Sequence, residues 1–425
     1  MNAIDSFRNA FVNYVGDDAR SSPFNLAAAR VVVGAYIIWR MTSLEWGFYQ
    51  EWPRQFNDSL SFLYNDLFLA LLPYQQWLVA GLLVLFVLGY RIRWTGGIAA
   101  LLMMHMLSVK ATIYHAGTVE SMFVLSYFLL LFAFFHRDDA MSADAIIRTK
   151  EKSIDQLNRF LKEGSNQVYR MRVFKWLLLA VGLLYLGSAW GKIMNGSPEI
   201  WLTGYELQRD ILESQELTGV ERPLAEPILE YRSLSWLGFV GTAVIQTSLL
   251  VAILLGITIT PSALGLIGFH LATVAMLGLY FIDMIVVLLM FGAWDRAYSW
   301  LAADADDQVQ LAYDERCYFC ARSLYVFKQL DINDSVQFYS QSDVPKELVD
   351  CDDVDLDEEM YLFRDGEPYG GYEAFRQLLK QFRIFFPIVL LMALSPVRYV
   401  GNRVYKYVAR NRSRQFVCSF EPEQN

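Results

Sequence analysis

Long apolar runs separated by short polar segments fill the first three hundred residues of the chain. A helix that crosses a bilayer needs about 20 mostly apolar residues. About eight runs approach that length: 24–44, 75–90, 94–110, 119–136, 174–194, 236–256, 262–280 and 282–301. The pattern therefore predicts a polytopic α-helical membrane protein with about eight spans.

The pattern changes to shorter alternating runs near the C-terminus. Val309–Ala312, Ser335–Tyr339 and Met360–Phe363 are typical of short strands, whereas Arg322–Leu330 and Glu373–Phe382 have the periodicity of helices. We therefore expect a membrane domain over residues 1–303 and a small α/β domain over residues 304–425.

A last apolar run, Ile384–Leu394, is too short to span a bilayer. It can pack on the α/β domain or lie on the membrane surface. The basic residues that follow it, Arg398, Arg403 and Lys406, favour the membrane surface.

Composition supports the membrane assignment. Hydrophobic residues make up 55% of the chain and charged residues 19%, and aromatic residues reach 15%. Soluble domains have about 25% charged residues, and tryptophan and tyrosine are enriched at membrane interfaces. The net charge of −9 argues against nucleic acid as a partner.

The distribution of basic residues predicts the orientation. With eight spans both termini lie on one side, and the loops on that side carry most of the lysine and arginine, which marks the cytoplasm. We therefore expect both termini and the α/β domain to be cytoplasmic. Residues 145–168 are predicted to form an amphipathic helix on that membrane surface. The basic residues are Arg91, Arg93, Arg137, Arg148, Lys150, Lys152, Arg159, Lys162, Arg170, Arg172 and Lys175.

Ionisable side chains at the opposite ends of the spans are candidates for a functional cluster, because such groups are costly in a membrane. Lys192 ends an apolar run and could act as a base, although lysines at span ends also extend to the interface. His115, Glu120 and Asp283 are expected on the same side. His270 lies within a span, where a hydrogen bond to a neighbouring helix is an alternative role.

A Cys-x-x-Cys pair, Cys317 and Cys320, falls between a predicted strand and a predicted helix. The helix N-terminus favours thiolate, and the second sulfur, one turn on, can resolve a mixed disulfide. A zinc half-site, structural thiols and a domain that has lost its activity are the alternatives. Zinc normally takes four ligands, and no second Cys-x-x-Cys or close histidine pair follows, so we predict redox chemistry and no metal.

The segment Tyr185–Met194, continuing through Ile200–Tyr205, resembles the vitamin K-dependent γ-carboxylase and its bacterial relatives, the HTTM proteins. Shared features are a lysine that ends a span and a following Trp-x-x-Gly, which here is Trp201 to Gly204. The resemblance covers about residues 20–300. It implies that Lys192 is the base that deprotonates reduced vitamin K, that a reduced quinone is the cofactor, and that the membrane is that of a prokaryotic cell.

The C-terminal residues resemble the DCC family of thiol-disulfide oxidoreductases in three blocks: Tyr313-Asp314-x-x-Cys317-x-x-Cys320, Leu362–Gly366 through Tyr369–Ala374, and Tyr405–Arg412. The resemblance implies a thioredoxin-like fold. Under it, Cys317 attacks a substrate disulfide, Cys320 resolves the intermediate, and Asp314 assists the proton transfers of the buried sulfur.

Three functions follow from these patterns. The first is a membrane-bound thiol-disulfide oxidoreductase with a protein thiol or disulfide as substrate. The second is a carboxylase-like membrane enzyme that acts on a lipid or quinone with Lys192 as base. The third is a non-enzymatic lipid-binding or transport module that uses the polar cluster. Expected substrate-binding residues are His115, Glu120, His270, Asp283 and Trp201.

Overall fold

The computed structural model describes residues 23–46, 69–113, 120–135, 142–163, 172–195, 203–292, 294–301, 308–349, 354–356 and 358–411. The chain folds into two compact units. Described residues of the first, which we call the helical unit, lie within 28–137 and 169–292. Those of the second, the C-terminal unit, lie within 22–27, 138–168 and 293–425.

Apolar helices form most of the helical unit, as the sequence predicts. Five described helices are long and apolar enough to cross a bilayer, and two shorter ones are also apolar. The total of eight spans stays a prediction, as do the cytoplasmic orientation and the prokaryotic origin. The helices are α1 (Pro23–Thr42), α2 (Leu72–Val87), α3 (Ile92–Ile113), α4 (Glu120–Phe135), α5 (Ala143–Arg148), α6 (Ile154–Glu163), α7 (Arg172–Asn195), α8 (Tyr205–Thr218), α9 (Glu226–Glu230), α10 (Arg232–Leu255), α11 (Thr260–Leu277) and α12 (Ile282–Leu289), of which α5 and α6 belong to the C-terminal unit.

The last predicted span, 282–301, is not one helix. Helix α12 ends in a turn over residues 290–292, and the next helix, α13 (Trp294–Ser299), belongs to the C-terminal unit. Gly292 and the charged pair Asp295-Arg296 interrupt the apolar run, and glycine is a poor helix former. The prediction of a continuous span here is wrong.

Buried polar side chains join the helices of the helical unit. His105 Nδ1 lies 3.0 Å from Gln75 Oε1, which links α3 to α2. Arg30 is fully buried, and its Nη1 donates to the carbonyl oxygens of Phe86, at 3.0 Å, and of Val87. A cation at the C-terminus of α2 complements the negative end of that helix.

The C-terminal unit contains a four-stranded mixed sheet. Its strands are β1 (Val309–Tyr313), β2 (Val336–Ser340), β3 (Tyr361–Arg364) and β4 (Glu367–Gly370), in the order β2-β1-β3-β4. Strand β1 pairs parallel to β2 and antiparallel to β3, and β4 pairs antiparallel to β3. Helix α14 (Tyr318–Leu330) joins β1 to β2, α15 (Lys346–Val349) follows β2, and α16 (Gly371–Lys380) follows β4. The predicted small α/β domain is confirmed.

Segments from other parts of the chain complete this core. Leu157 and Leu161 of α6 are buried in the same hydrophobic cluster as Leu311 of β1 and Leu324 of α14. Phe24 stacks on Tyr298 with ring centroids 4.0 Å apart, at the edge of that cluster. The predicted boundary at residues 303 and 304 lies outside the described residues.

Helix α6 corrects the prediction for residues 145–168. The amphipathic pattern was expected to place this helix on the membrane surface, yet its apolar face packs against α14 and β2. The period of the pattern gives the buried face of a helix but does not identify the partner that covers it.

Two helices at the end of the described chain, α17 (Phe386–Ala393) and α18 (Ser395–Arg410), meet at a bend of 99°. Val389 and Met392 pack against Tyr372 and Leu379, so α17 contacts the α/β domain. Its other face carries exposed apolar side chains, among them Phe386, Leu390 and Leu391. One face of the apolar run Ile384–Leu394 therefore packs on the α/β domain. The other face is exposed and can contact a membrane or a partner.

Candidate functional site

The cysteine pair lies where β1 ends and α14 begins, as the sequence predicts. Cys317 is the N-cap of this 13-residue helix, and its Sγ accepts a hydrogen bond from the backbone N–H of Cys320 at 3.2 Å. Cys317 and Cys320 are joined by a disulfide. On reduction, the same N–H group and the helix dipole favour a thiolate at Cys317.

The two sulfur-bearing residues differ in their access to solvent. Cys317 is 0% exposed, whereas Cys320 is partly exposed and lines a cavity of about 780 Å³. The cavity lies between α14, α16, α17 and α18, and its walls are mainly apolar. A molecule that enters it meets Cys320 rather than Cys317.

Asp314 is buried in the turn before the pair. Its Oδ1 accepts from the Arg316 N–H at 3.0 Å and lies 3.5 Å from Arg316 Nε, while its carbonyl oxygen accepts from the Cys317 N–H at 3.1 Å. These contacts shape the turn that positions Cys317. The expected role of Asp314 in proton transfer stays a prediction.

Residues of the α5–α6 segment form hydrogen bonds with the turn before the cysteine pair and with the first turns of α14. Asn158 Nδ2 donates to the Glu315 carbonyl oxygen at 3.0 Å, and Tyr313 Oη donates to Asn158 Oδ1 at 3.2 Å. Thr149 accepts from Tyr318 Oη at 2.6 Å and from Arg322 Nε at 2.8 Å. Sequence reasoning missed these residues, and the only signal for them was the amphipathic period of α6.

Charge and burial perturb the groups around this site. Hydrogen bonds from Lys162 and Ser340 lower the pKa of the Asp343 carboxyl. Burial raises the pKa of the Tyr313 hydroxyl, and the nearby carboxylates of Glu315 and Asp343 add to that effect. Tyr313 therefore stays protonated and able to donate to Asn158.

A second cavity, of about 1020 Å³, lies within the helical unit and contains Lys192 and His270 in its wall. Tyr185 Oη lies 2.6 Å from His270 Nε2, and Lys192 Nζ donates to Gln246 Oε1 at 3.3 Å. Lys192 Nζ also lies 5.6 Å from the centre of the Phe269 ring. Among the described residues, His270 Nδ1 is buried without a hydrogen-bond partner.

The predicted membrane cluster is brought together only in part. Lys192 and His270 share the cavity, with Tyr185 and Gln246, which the sequence reasoning missed although both are polar groups in apolar runs. Asp283 instead accepts from Tyr36 and lies 3.8 Å from Arg40 Nε.

The remaining predicted residues of the cluster are described less fully or not at all. Glu120 begins α4, but its side chain lies outside the described structure. His115 and Trp201 are not among the described residues. Within the described part of the chain, no group of three or more histidine, cysteine, aspartate or glutamate side chains could hold a metal ion.

Comparison with known families assigns the C-terminal residues. Residues 311–418 match the model of the DCC1-like thiol-disulfide oxidoreductase family. No curated protein and no solved structure matches the chain. The comparisons therefore support an oxidoreductase domain around Cys317 and Cys320, and they give no support to the carboxylase resemblance of the helical half.

Proposed function

We propose that this protein is a membrane-bound thiol-disulfide oxidoreductase with a thioredoxin-like domain. The observation that carries the proposal is the disulfide between Cys317 and Cys320 at the N-terminus of α14, within residues that match the DCC1-like family. The pair cycles between a disulfide and a dithiol as it exchanges electrons with a partner.

The surroundings of the two sulfurs favour an order of attack opposite to the one expected from the sequence. Cys320 is the accessible residue, so its thiolate attacks the substrate. Cys317 then attacks the Cys320 sulfur and releases the reduced product. In the return step, a dithiol attacks Cys320, and Cys317 leaves as the thiolate that the helix N-terminus stabilises.

A redox titration of the purified full chain tests the proposal. The Cys317/Cys320 pair is equilibrated with dithiothreitol at several ratios of reduced to oxidised form, and the free thiols are counted by mass spectrometry. We expect a reversible two-electron couple that Cys317→Ser abolishes. A pair that does not cycle, or that binds zinc, would contradict the proposal.

A second candidate function rests on the cavity around Lys192. The Lys192 amine lies beside Gln246, with the Tyr185–His270 pair in the same apolar cavity, and can act as a base toward a lipid or quinone substrate. On this reading, the helical unit binds reduced vitamin K and Lys192 removes a proton from its hydroxyl group.

The Lys192 candidate is tested with reduced vitamin K in detergent-solubilised protein. In air-saturated buffer, dissolved oxygen is the oxidant, and we expect Lys192→Met to retain binding and to lose the base-promoted oxidation of the ligand by oxygen, followed by chromatography. Lys175→Met, on the same helix, is the matched control. Binding without oxidation in the wild-type protein would favour a lipid-binding or transport module, and no binding would contradict reduced vitamin K as the ligand of the helical unit.

A further inference from the structure

The cavity beside Cys320 carries a reactive sulfur on the wall formed by α14, and its other walls are mainly apolar. Cys320 and Ser323 lie three residues apart on α14, so they share a face of that helix, and both line the cavity. Opposite them, Val397, Val400 and Val404 of α18 line it as well. Its volume of about 780 Å³ is in the range of small-molecule sites, which also combine apolar walls with a few polar groups.

This composition suits a small apolar ligand better than a peptide. An extended peptide brings an N–H and a C=O group with each residue, and these groups need hydrogen-bond partners when they are buried. The cavity walls are mainly hydrocarbon, and the hydroxyl groups of Tyr372 and Tyr405 already bond to the backbone at Met392 and Met360. A ligand with a hydrocarbon tail and one polar head fits these walls and leaves no buried N–H or C=O group without a hydrogen-bond partner.

The helices around the cavity have the character of a surface that contacts anionic lipid. Exposed apolar side chains of α17, including Phe386 and Leu391, occur with exposed basic side chains of α18. Such a combination binds the interface of an anionic bilayer through apolar contact and charge attraction. A molecule dissolved in the bilayer would then reach the cavity without crossing water. The basic residues are Arg398, Arg403, Lys406 and Arg410.

We infer that this cavity binds a lipid-soluble quinone and that the Cys317/Cys320 dithiol reduces it to the quinol. The inference rests on the proposed thiol-disulfide activity and names its electron acceptor. A quinone has the required combination of a hydrocarbon tail and a head that takes up two electrons. The Ser323 hydroxyl, in the cavity wall one turn from Cys320, is a donor for one of its carbonyl oxygens.

The reaction balances with the two thiols as the only reductant. The Cys320 thiolate adds to the quinone ring and forms a carbon–sulfur bond. The Cys317 thiolate then attacks the Cys320 sulfur, which forms the disulfide and breaks the carbon–sulfur bond. The electron pair stays on the ring, and the two protons of the original thiols complete the quinol. An external dithiol restores the reduced pair.

A single-turnover assay tests the inference. Full-length protein is reduced with dithiothreitol, freed of the reductant by gel filtration without oxygen, and mixed with decylubiquinone, whose absorbance reports its reduction. We expect one quinol for each cysteine pair, and none from a Cys317→Ser/Cys320→Ser variant that retains Cys351 and Cys418.

Substitutions on α18 show whether the reaction occurs in the cavity. Val404→Trp fills the cavity, and we expect quinone reduction to slow by about tenfold or more. Asn402→Trp places the same side chain at an exposed position of the same helix that is not part of the cavity wall, and we expect the wild-type rate. Ser323→Ala tests the polar end of the cavity independently and should slow the reaction less than Val404→Trp.

The outcomes separate this inference from the proposed function. Equal rates in the two tryptophan variants, together with no effect of Ser323→Ala, would overturn the cavity as a quinone site. A working dithiol couple with no quinol formed would overturn the inference alone, and the absence of a couple would overturn the proposed function as well. If Val404→Trp blocks reduction of an apolar disulfide peptide but not of decylubiquinone, the occupant is a peptide and the inference is wrong.

Discussion

Two cysteines of one disulfide have unequal surroundings in this protein. Cys317 has no exposed surface and caps a helix, whereas Cys320 faces a cavity one turn later. Access to solvent therefore differs between the two residues, and under the proposed order of attack the accessible sulfur meets the partner while the helix-capping sulfur is the leaving group. The sequence places the two residues differently on the helix, but it cannot show which sulfur is accessible, because access depends on how α16, α17 and α18 pack around α14.

This division predicts the order in which the reduced thiols react with a bulky reagent. With N-phenylmaleimide in limiting amounts, we expect Cys320 to be labelled before Cys317, because the reagent cannot reach the buried sulfur. Mass spectrometry of the digested protein measures the two sites separately, and urea should equalise them. Preferential labelling of Cys317 in the folded protein would contradict the proposed order of attack.

The Lys162–Asp343 ion pair predicts a dependence of stability on pH. Hydrogen bonds from Lys162 and Ser340 lower the pKa of Asp343 in the folded protein, below an unfolded value of about 3.9. Its contribution to the free energy of unfolding is therefore present above about pH 4 and is lost as the pH falls through the folded pKa. Because both side chains are about half exposed, we expect the pair to contribute only about 0.2–1 kcal/mol to the free energy of unfolding.

A double-mutant cycle isolates this pair. Thermal unfolding of the wild type, Lys162→Met, Asp343→Asn and the double variant gives the interaction energy at pH 7 and at pH 3. We expect it to be favourable at pH 7 and smaller at pH 3. An interaction energy that grows as the pH is lowered would contradict the predicted pH dependence of this ion pair.

At the scale of elements, helix α6 is a component of the C-terminal core although it precedes that core by a long stretch of chain. Leu157 is fully buried, and Phe160 packs on Tyr325 with ring centroids 4.3 Å apart. Lys152 Nζ donates to Tyr325 Oη at 3.0 Å on the same surface of α14. The segment therefore contributes both apolar and polar contacts to the helix that carries the cysteine pair.

Truncation of Leu157 tests the importance of this packing. Leu157→Ala should lower the free energy of unfolding of the C-terminal unit by about 2–5 kcal/mol, as for other buried leucines. Hydrogen exchange of α14 measures the change, and Ile147→Ala, at an exposed position of α5, is the matched control. Equal protection of α14 in both variants would mean that α6 does not stabilise it.

Local patterns predicted some elements and missed others for physical reasons. Strands β1, β2 and β3 were predicted because their apolar residues form short runs between turns. Strand β4 was missed because it is short and contains Pro368, although Asp365 and Gly366, both with positive φ, form the two-residue turn that joins it to β3. The Asp-Gly pair was the signal that could have revealed it.

Contacts between distant segments could not be predicted from local patterns. Lys192 and His270 were each singled out as polar groups in apolar runs, but their shared cavity and the Tyr185 partner depend on how α7, α10 and α11 pack. Likewise, the amphipathic period of α6 predicted its buried face correctly. The prediction that the bilayer covers this face was wrong, because α14 and β2 cover it. Periodicity defines a face, and only tertiary packing determines what covers it.

At the scale of the whole molecule, residues 304–425 do not contain the complete core of the C-terminal unit. The core also takes Leu157 and Leu161 from α6 and Tyr298 from α13. A chain cut at the predicted boundary would leave apolar surface of α14 and β2 without its cover, and such surface promotes aggregation.

We therefore predict that, in a mild detergent that covers the exposed face of α17, a fragment of residues 304–425 aggregates and a fragment of residues 293–425 joined by a flexible linker to residues 138–168 stays monodisperse. Sedimentation velocity of the two fragments measures the difference. The joined fragment carrying Leu157→Asp is the control and should behave as the shorter one does. A monodisperse 304–425 fragment would show that the α/β domain folds without α6.

The position of α6 in the chain also has a consequence for biosynthesis. Lys152 and its partner Tyr325 are separated by 173 residues. At about 5–20 residues per second, the ribosome needs roughly 10–35 s to make the residues that cover this helix. During that delay its apolar stripe has no native partner. The core around the cysteine pair can therefore be completed only after the strands and helices that cover α6 have left the ribosome.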